Sequence, residues 1–117
     1  MIKLKHILNA VVVSEIDIPE GDYTIGRNRG NSLQLEDGVV SGEHAVLTLA
    51  ASPYLPDMFD ITIKDLGSTN GTYVNSVAVK EKRLNHGDII KIGQHEFKVF
   101  DDQSNVGTQT EYYVSDE

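Results

Sequence analysis

The sequence contains no cysteine, so neither a disulfide framework nor a zinc–thiolate site is available to it. No apolar run approaches the roughly 20 residues of a membrane-spanning helix, and Met1-Ile2-Lys3-Leu4-Lys5-His6 lacks the pattern of a signal peptide. Long amphipathic helical periodicity is missing as well. Positive charge is scarce: ten Lys and Arg face 18 Asp and Glu, a formal net charge of −8. Arginine occurs only at Arg27, Arg29 and Arg83. An acidic chain is a poor partner for duplex nucleic acid or an anionic membrane, both of which recruit basic proteins. His6, His86 and His95 have no metal-ligand spacing with carboxylates. The expectation is a soluble, cytoplasmic monomer without metal or other cofactor.

What the chain does contain is period-two alternation. Phe59, Ile61 and Ile63 alternate with Asp60, Thr62 and Lys64, and His95 to Phe100 repeats the pattern. Ile2, Leu4 and Leu8 alternate with Lys3 and Lys5; Val12, Ile16 and Ile18 share a parity opposite Glu15 and Asp17. Such runs are strands with one face in a core and the other in water. Turn signals separate them at short intervals: Pro19-Glu20-Gly21, Arg29-Gly30-Asn31, Asp37-Gly38, Asn70-Gly71, His86-Gly87-Asp88 and Gly93-Gln94. Ala50 to Asp57 reads as the one long connection, with Pro53 and Pro56 blocking regular structure. Many short strands at this spacing predict an all-β sandwich or barrel, and 117 residues suffice for one domain with its own core. The domain is expected over residues 1–100. Residues 101–117 carry five acids and no Lys or Arg, which leaves −3 for the first hundred, and they read as an acidic, flexible tail.

Three segments carry chemistry. Asp65-Leu66-Gly67-Ser68-Thr69-Asn70-Gly71-Thr72 packs hydroxyls and an amide around two glycines, and its Asn-Gly dipeptide is a hairpin signal because both residues tolerate positive φ. Tyr23-Thr24-Ile25-Gly26-Arg27-Asn28-Arg29-Gly30-Asn31 is a short strand running into a loop with two of the three arginines. Val39-Val40-Ser41-Gly42-Glu43-His44-Ala45-Val46-Leu47 sets a serine and a histidine three apart at a strand entrance. Gly-Arg, Ser-x-x-His and Asn-Gly in this order resemble the forkhead-associated (FHA) domain, over about Tyr23 to Phe100. The resemblance implies a β-sandwich of mostly antiparallel short strands with recognition loops at one end. It further implies a module that reads phosphothreonine on partner proteins in kinase-dependent signalling, with no enzymatic activity of its own.

By that resemblance, Arg27, Ser41, Thr69 and Asn70 match positions that contact the phosphate or the peptide backbone, with Ser68 beside them. A guanidinium, hydroxyls and a carboxamide are the donors a phosphate or an extended main chain requires. Gly26 and Gly71 are read as backbone residues needed for close approach or positive φ, and His44 as an architectural residue tying loops together. Gly42 departs from the pattern: the position often bears a longer polar or basic side chain, whereas glycine offers only its N–H and Glu43 adds negative charge. Arg29 is a candidate to compensate. Losing one charge-assisted hydrogen bond, worth roughly 1.5–3 kcal/mol, puts the expected affinity in the micromolar range or weaker. Flanking specificity is expected C-terminal to the phosphothreonine, where Val39 and Val40 favour an aliphatic residue.

Two other readings compete. A scaffold module of the same fold would bind a partner without phosphate, through a sheet face or edge. A hydrolase built on Ser41 and His44 lacks a Gly-x-Ser-x-Gly elbow, and three-residue spacing at a strand entrance gives no triad geometry. In the tail, Thr108 and Thr110 are candidate phosphorylation sites that would make the chain its own ligand, since tethering raises effective concentration toward millimolar.

Overall fold

A computed structural model of the chain describes residues 2–55 and 58–101. Thr108, Thr110, the rest of the expected tail from residue 102, and Pro56 and Asp57 lie outside the described residues. Within them the chain is all-β, with eleven strands in two sheets. One sheet runs β2 (Val11–Ile18), β1 (Ile2–Leu8), β11 (His95–Asp101), β10 (Ile89–Ile92), β7 (Thr72–Val74), β8 (Val77–Val79). The other runs β4 (Leu33–Gln34), β3 (Gly21–Gly26), β5 (Ala45–Ala51), β6 (Phe59–Asp65), β9 (Glu81–Leu84). Every pairing described is antiparallel except β3 with β4.

Alternation explains the sandwich. Ile2 and Leu4 of β1, Ile90 and Ile92 of β10, and Phe97 and Val99 of β11 point inward from the six-stranded sheet. Ile25, Leu47, Leu49, Ile61 and Ile63 meet them from the other, and all are buried. Each large aliphatic or aromatic side chain so buried contributes about 1.5–3 kcal/mol. The outer face sets the register by charge: Lys3 lies opposite Asp17 and Lys5 opposite Glu15 across β1 and β2. Lys5 also faces Lys98 across β11, and its ammonium settles 4.7 Å from the centroid of the Phe100 ring.

Several sequence expectations change here. Asn70-Gly71 closes no hairpin, because β6 and β7 belong to different sheets and only Gly71 of the pair has positive φ (89°). The tight two-residue turns are Gly93-Gln94 (Gly93 φ 61°), joining β10 to β11 where the sequence signalled a turn, and Asn9-Ala10 (φ 54° and 65°) and Asn75-Ser76 (φ 50° and 71°), joining β1 to β2 and β7 to β8. Val12 does not share the inward face of Ile16 and Ile18. A register shift opposite His6 and Ile7 makes Val13 a bulge residue, so Val11, Val12 and Val13 are all exposed on an edge strand. That bulge and the nearby Glu15 and Asp17 discourage edge-to-edge pairing. The long connection begins later than expected, since β5 takes in Ala50 and Ala51.

Under the recognition end, two histidines from β1 and β11 share a hydrogen bond, His6 Nε2 to His95 Nδ1 at 2.8 Å, with His6 stacked on Phe97. His95 Nε2 lies 3.5 Å from Asp37 Oδ2 in the β4–β5 loop. Burial, and then the neighbouring His95, lower the His6 pKa below its ordinary 6.5. A depressed folded-state value means that the unfolded chain takes up this proton first. The stabilising contribution is complete above pH 6.5 and is lost as pH falls through the lowered value. The expected outcome is a melting temperature that drops on acidification below about pH 6.5, with His6→Gln flattening that part of the profile in a thermal-shift titration.

Candidate functional site

Three loops meet at one end of the sandwich, and hydrogen bonds between them fix their separation. Residues 27 and 28 leave β3 and continue along the β4–β5 loop: Arg27 N–H donates to Ser41 O (3.0 Å) and Asn28 N–H to Gly42 O (3.1 Å). The approach is close enough that a Cβ on Gly26 would collide with Gly42 O, so glycine is required there by contact. Val40 is buried in the core and anchors its loop, while Val39 stays 43% exposed. Of the two valines expected to meet a ligand side chain, only Val39 is therefore accessible.

His44 is fully buried and connects two of the loops. Its Nδ1 accepts the Ser41 N–H (3.0 Å), and its Nε2–H donates to Gly71 O (2.9 Å). These partners assign the Nε2–H tautomer, with both ring nitrogens engaged by main chain. Its own backbone completes the tie: His44 N–H donates to Ile25 O and His44 O accepts Leu66 N–H, each at 2.9 Å.

The β6–β7 loop is organised by Asp65. Oδ1 accepts the Ser68 hydroxyl (2.6 Å) and the hydroxyl of buried Thr72 (2.7 Å), and Oδ2 accepts the Gly67 and Ser68 N–H groups (3.0 Å each). Burial by itself would raise the Asp65 pKa, but these four donors outweigh it and hold the carboxyl below its ordinary 3.8. Ser68 Oγ also accepts Gly71 N–H (2.9 Å). The Ser68 hydroxyl is thus spent within the loop's frame and does not line the cleft between the loops. Gly71, at φ 89°, takes a backbone conformation that L side chains rarely adopt.

Between the loops lies an open cleft of about 330 Å³ with Arg27, Ser41 and Gly42 on one side and Thr69 and Asn70 on the other. Arg27 uses only Nη1, in a long 3.3 Å contact with Gly38 O. Ser41 Oγ accepts Thr69 N–H (3.0 Å), which leaves the serine proton free to donate outward. Asn70 gives one amide hydrogen to Val39 O (2.9 Å) and keeps its carbonyl oxygen. Among the described residues the Thr69 hydroxyl and the Gly42 N–H have no protein partner. The cleft therefore presents one guanidinium and several neutral donors converging from two sides, the arrangement that receives a tetrahedral oxyanion. Glu43 faces a separate recess behind Gly42, and Arg29 makes no bond within the described residues. No hydrogen bond joins the Ser41 hydroxyl to the His44 ring, because both ring nitrogens are engaged by main chain. No cluster of metal-ligating side chains occurs among the described residues, nor any helix long and apolar enough to cross a membrane.

A wider groove of about 600 Å³ adjoins the cleft and shares Val39 and Asn70 with it. It descends over the outward row Tyr73, Lys91 and Glu96, which are cross-strand neighbours on β7, β10 and β11. Nothing in the sequence marks these residues beyond their outward parity.

A family model described as the FHA domain matches residues 23–93. The FHA domain-containing protein FhaA of Mycobacterium tuberculosis is 36% identical over 80 residues, which is 68% of this chain and 14% of that protein. A solved structure from work on phosphothreonine-dependent FHA domain interactions superposes with a TM-score of 0.72 at 30% identity, over 86% of this chain and 95% of its own. The FHA domain of MEK1, in complex with a phosphothreonine peptide of HOP1, gives 0.68 at 25% identity, over 85% and 94% of the two chains. The chain spans 14%, 17% and 8% of the length of three curated relatives that it matches.

Removing the imidazole that joins the loops leaves the Ser41 N–H and the Gly71 carbonyl without partners. His44→Ala is expected to cost about 3 kcal/mol in urea denaturation, from unpaired polar groups plus a cavity. Asp65→Asn presents one acceptor oxygen to four donors and is expected to cost about 2 kcal/mol. With its depressed pKa, the Asp65 contribution is complete above pH 3.8 and is lost only as pH falls through the lowered value.

Proposed function

The chain belongs to the FHA domain family, and we propose that it reads phosphothreonine in partner proteins as a binding module without catalysis of its own. The observation that supports this most is the convergence of Arg27, the Ser41 and Thr69 hydroxyls, the Gly42 N–H and the Asn70 amide on one cleft. A phosphothreonine brings about −1.5 to −2 charges and three acceptor oxygens. Arg27 neutralises part of that charge and donates two hydrogen bonds in one plane. Ser41 and Thr69 donate hydroxyls, and Asn70 holds the peptide main chain through its amide. Gly26, His44 and Gly71 shape the loops; Ser68 braces them through Asp65 rather than reaching the ligand.

One flank of the ligand runs over Val39 into the adjoining groove. The apolar wall there, and a rim whose Lys91 and Glu96 offset each other, suit an aliphatic side chain better than a charged one. The reading includes a cytoplasmic monomer, a compact domain over residues 1–100, and no role for nucleic acid, membrane or cofactor. Phosphorylated Thr108 or Thr110 would be an intramolecular ligand. β11 places Asp101 at the end away from His95 and the recognition loops, about 20 Å along the strand.

The test is a phosphothreonine-centred degenerate peptide library, followed by calorimetry of the selected peptide with wild type and Arg27→Ala. Phosphoserine, unphosphorylated and phospho-tail peptides serve as controls. Micromolar binding is expected to the phosphothreonine form, falling at least about tenfold in Arg27→Ala as a charge-assisted bond is lost. Phosphoserine should bind more weakly by about 1–3 kcal/mol, the worth of one methyl in an apolar niche. Equal binding of unphosphorylated peptide that survives Arg27→Ala would favour a scaffold role through a sheet face instead.

A further inference from the structure

Gly42 stands at the edge of the cleft and brings no side chain to it, yet the space its side chain would fill is occupied. An ideal Cβ at Gly42 would lie 2.7 Å from Asn28 Nδ2, and 3.0 Å from both Cγ and Oδ1 of that carboxamide. Two bonds along a side chain span about 2.5 Å. The Asn28 amide therefore sits where the polar end of a short side chain at position 42 would be.

The backbone carrying it is fixed. Asn28 N–H donates to Gly42 O (3.1 Å), Asn31 N–H donates to Asn28 O (3.3 Å), and Asn31 Nδ2 donates both to Asn28 O (2.9 Å) and to Gly42 O (2.7 Å). The Asn28 side chain is exposed, lines the recess that Glu43 also lines, on the far side of Gly42 from the cleft, and has no hydrogen-bond partner among the described residues. An unspent carboxamide next in sequence to Arg27, packed on Gly42 at the border between that recess and the cleft, is a donor without an internal acceptor.

We infer that Asn28 is a ligand-binding residue, its Nδ2 donating to an oxygen of the bound phosphopeptide in place of a side chain at position 42. This rests on the phosphothreonine-reading function and names a further residue for it. The backbone at Gly42 does not itself demand glycine, since its φ lies outside the left-handed region. The three atoms nearest a substituent there all belong to the Asn28 side chain, so removing that side chain opens the space beside Gly42.

Moving the carboxamide from Asn28 to position 42 is the test. Calorimetry with the library-selected phosphothreonine peptide would compare wild type, Asn28→Ala and the double variant Asn28→Ala/Gly42→Asn, each with its melting temperature. Asn28→Ala is expected to weaken binding about tenfold, as for one charge-assisted hydrogen bond, without lowering the melting temperature. The double variant is expected to recover most of the lost affinity. A residue that only braces the loop would instead lower the melting temperature and gain nothing from an asparagine at 42. Asn28→Ala that binds within about twofold of wild type, or a double variant no tighter than the single one, overturns the inference. Wild type that shows no phosphate-dependent binding at all overturns the underlying function, and the inference with it.

Discussion

His44 joins the β4–β5 loop to the β6–β7 loop through two bonds of one neutral ring: Nδ1 takes the Ser41 N–H and Nε2–H gives to Gly71 O. The ring is fully buried, so both bonds are shielded from water, and each partner would be left unpaired without it. Ser41 and the Thr69–Asn70 pair stand on opposite sides of the cleft, and their separation depends on this bridge. The direct contacts between the loops, Thr69 N–H to Ser41 Oγ and Asn70 Nδ2 to Val39 O, form at the surface on top of a distance the imidazole has already set. The two sheets contribute strand ends that point the loops together. His44, at the entrance of β5, and Asp65, at the end of β6, convert those ends into a site.

Reception of a phosphate by an acidic chain, as proposed, poses an electrostatic problem, and the make-up of the cleft offers a local answer. Among the described residues Arg27 is the one cation on the cleft, Glu43 lines a separate recess with Asn28, and the remaining donors are neutral. Neutral hydroxyls and N–H groups aimed by a rigid frame stabilise an oxyanion without raising net charge, which limits attraction to unrelated polyanions. The Asp65 carboxylate illustrates the same economy inside the frame. It is kept ionised below the usual carboxylate range by four donors and serves as the loop's internal anchor.

Period-two patterning made the sandwich legible, because a strand that is half in water must alternate; Phe59–Asp65 follows it without interruption. Alternation alone could not reveal the bulge at Val13, which comes from pairing with β1 and sends Val12 outward despite its parity. Asn70-Gly71 carries a hairpin signal but spans two sheets, a tertiary fact that no dipeptide encodes. Gly93-Gln94 does close a tight turn as its glycine signals, whereas two others use Ala10 and Ser76, which rarely accept positive φ and give no warning. At the site, the ordered motifs located the three loops, while the division of labour between adjacent hydroxyls was invisible. Ser68 and Thr69 are neighbours in sequence, yet one is spent on Asp65 and the other faces the cleft. Contacts through space were equally hidden: His6 bonds His95 across 89 positions of sequence, and the carboxamide of Asn28 fills the volume left by Gly42.

The most direct measurement is an amide-resolved NMR titration of isotope-labelled protein with a phosphothreonine peptide and its unphosphorylated twin. Reading by the cleft requires that the phosphorylated peptide alone perturb Arg27, Ser41, Gly42, Thr69 and Asn70, with the β2 edge unmoved. Shifts centred on a sheet face or edge, or the same shifts from the unphosphorylated peptide, would contradict it.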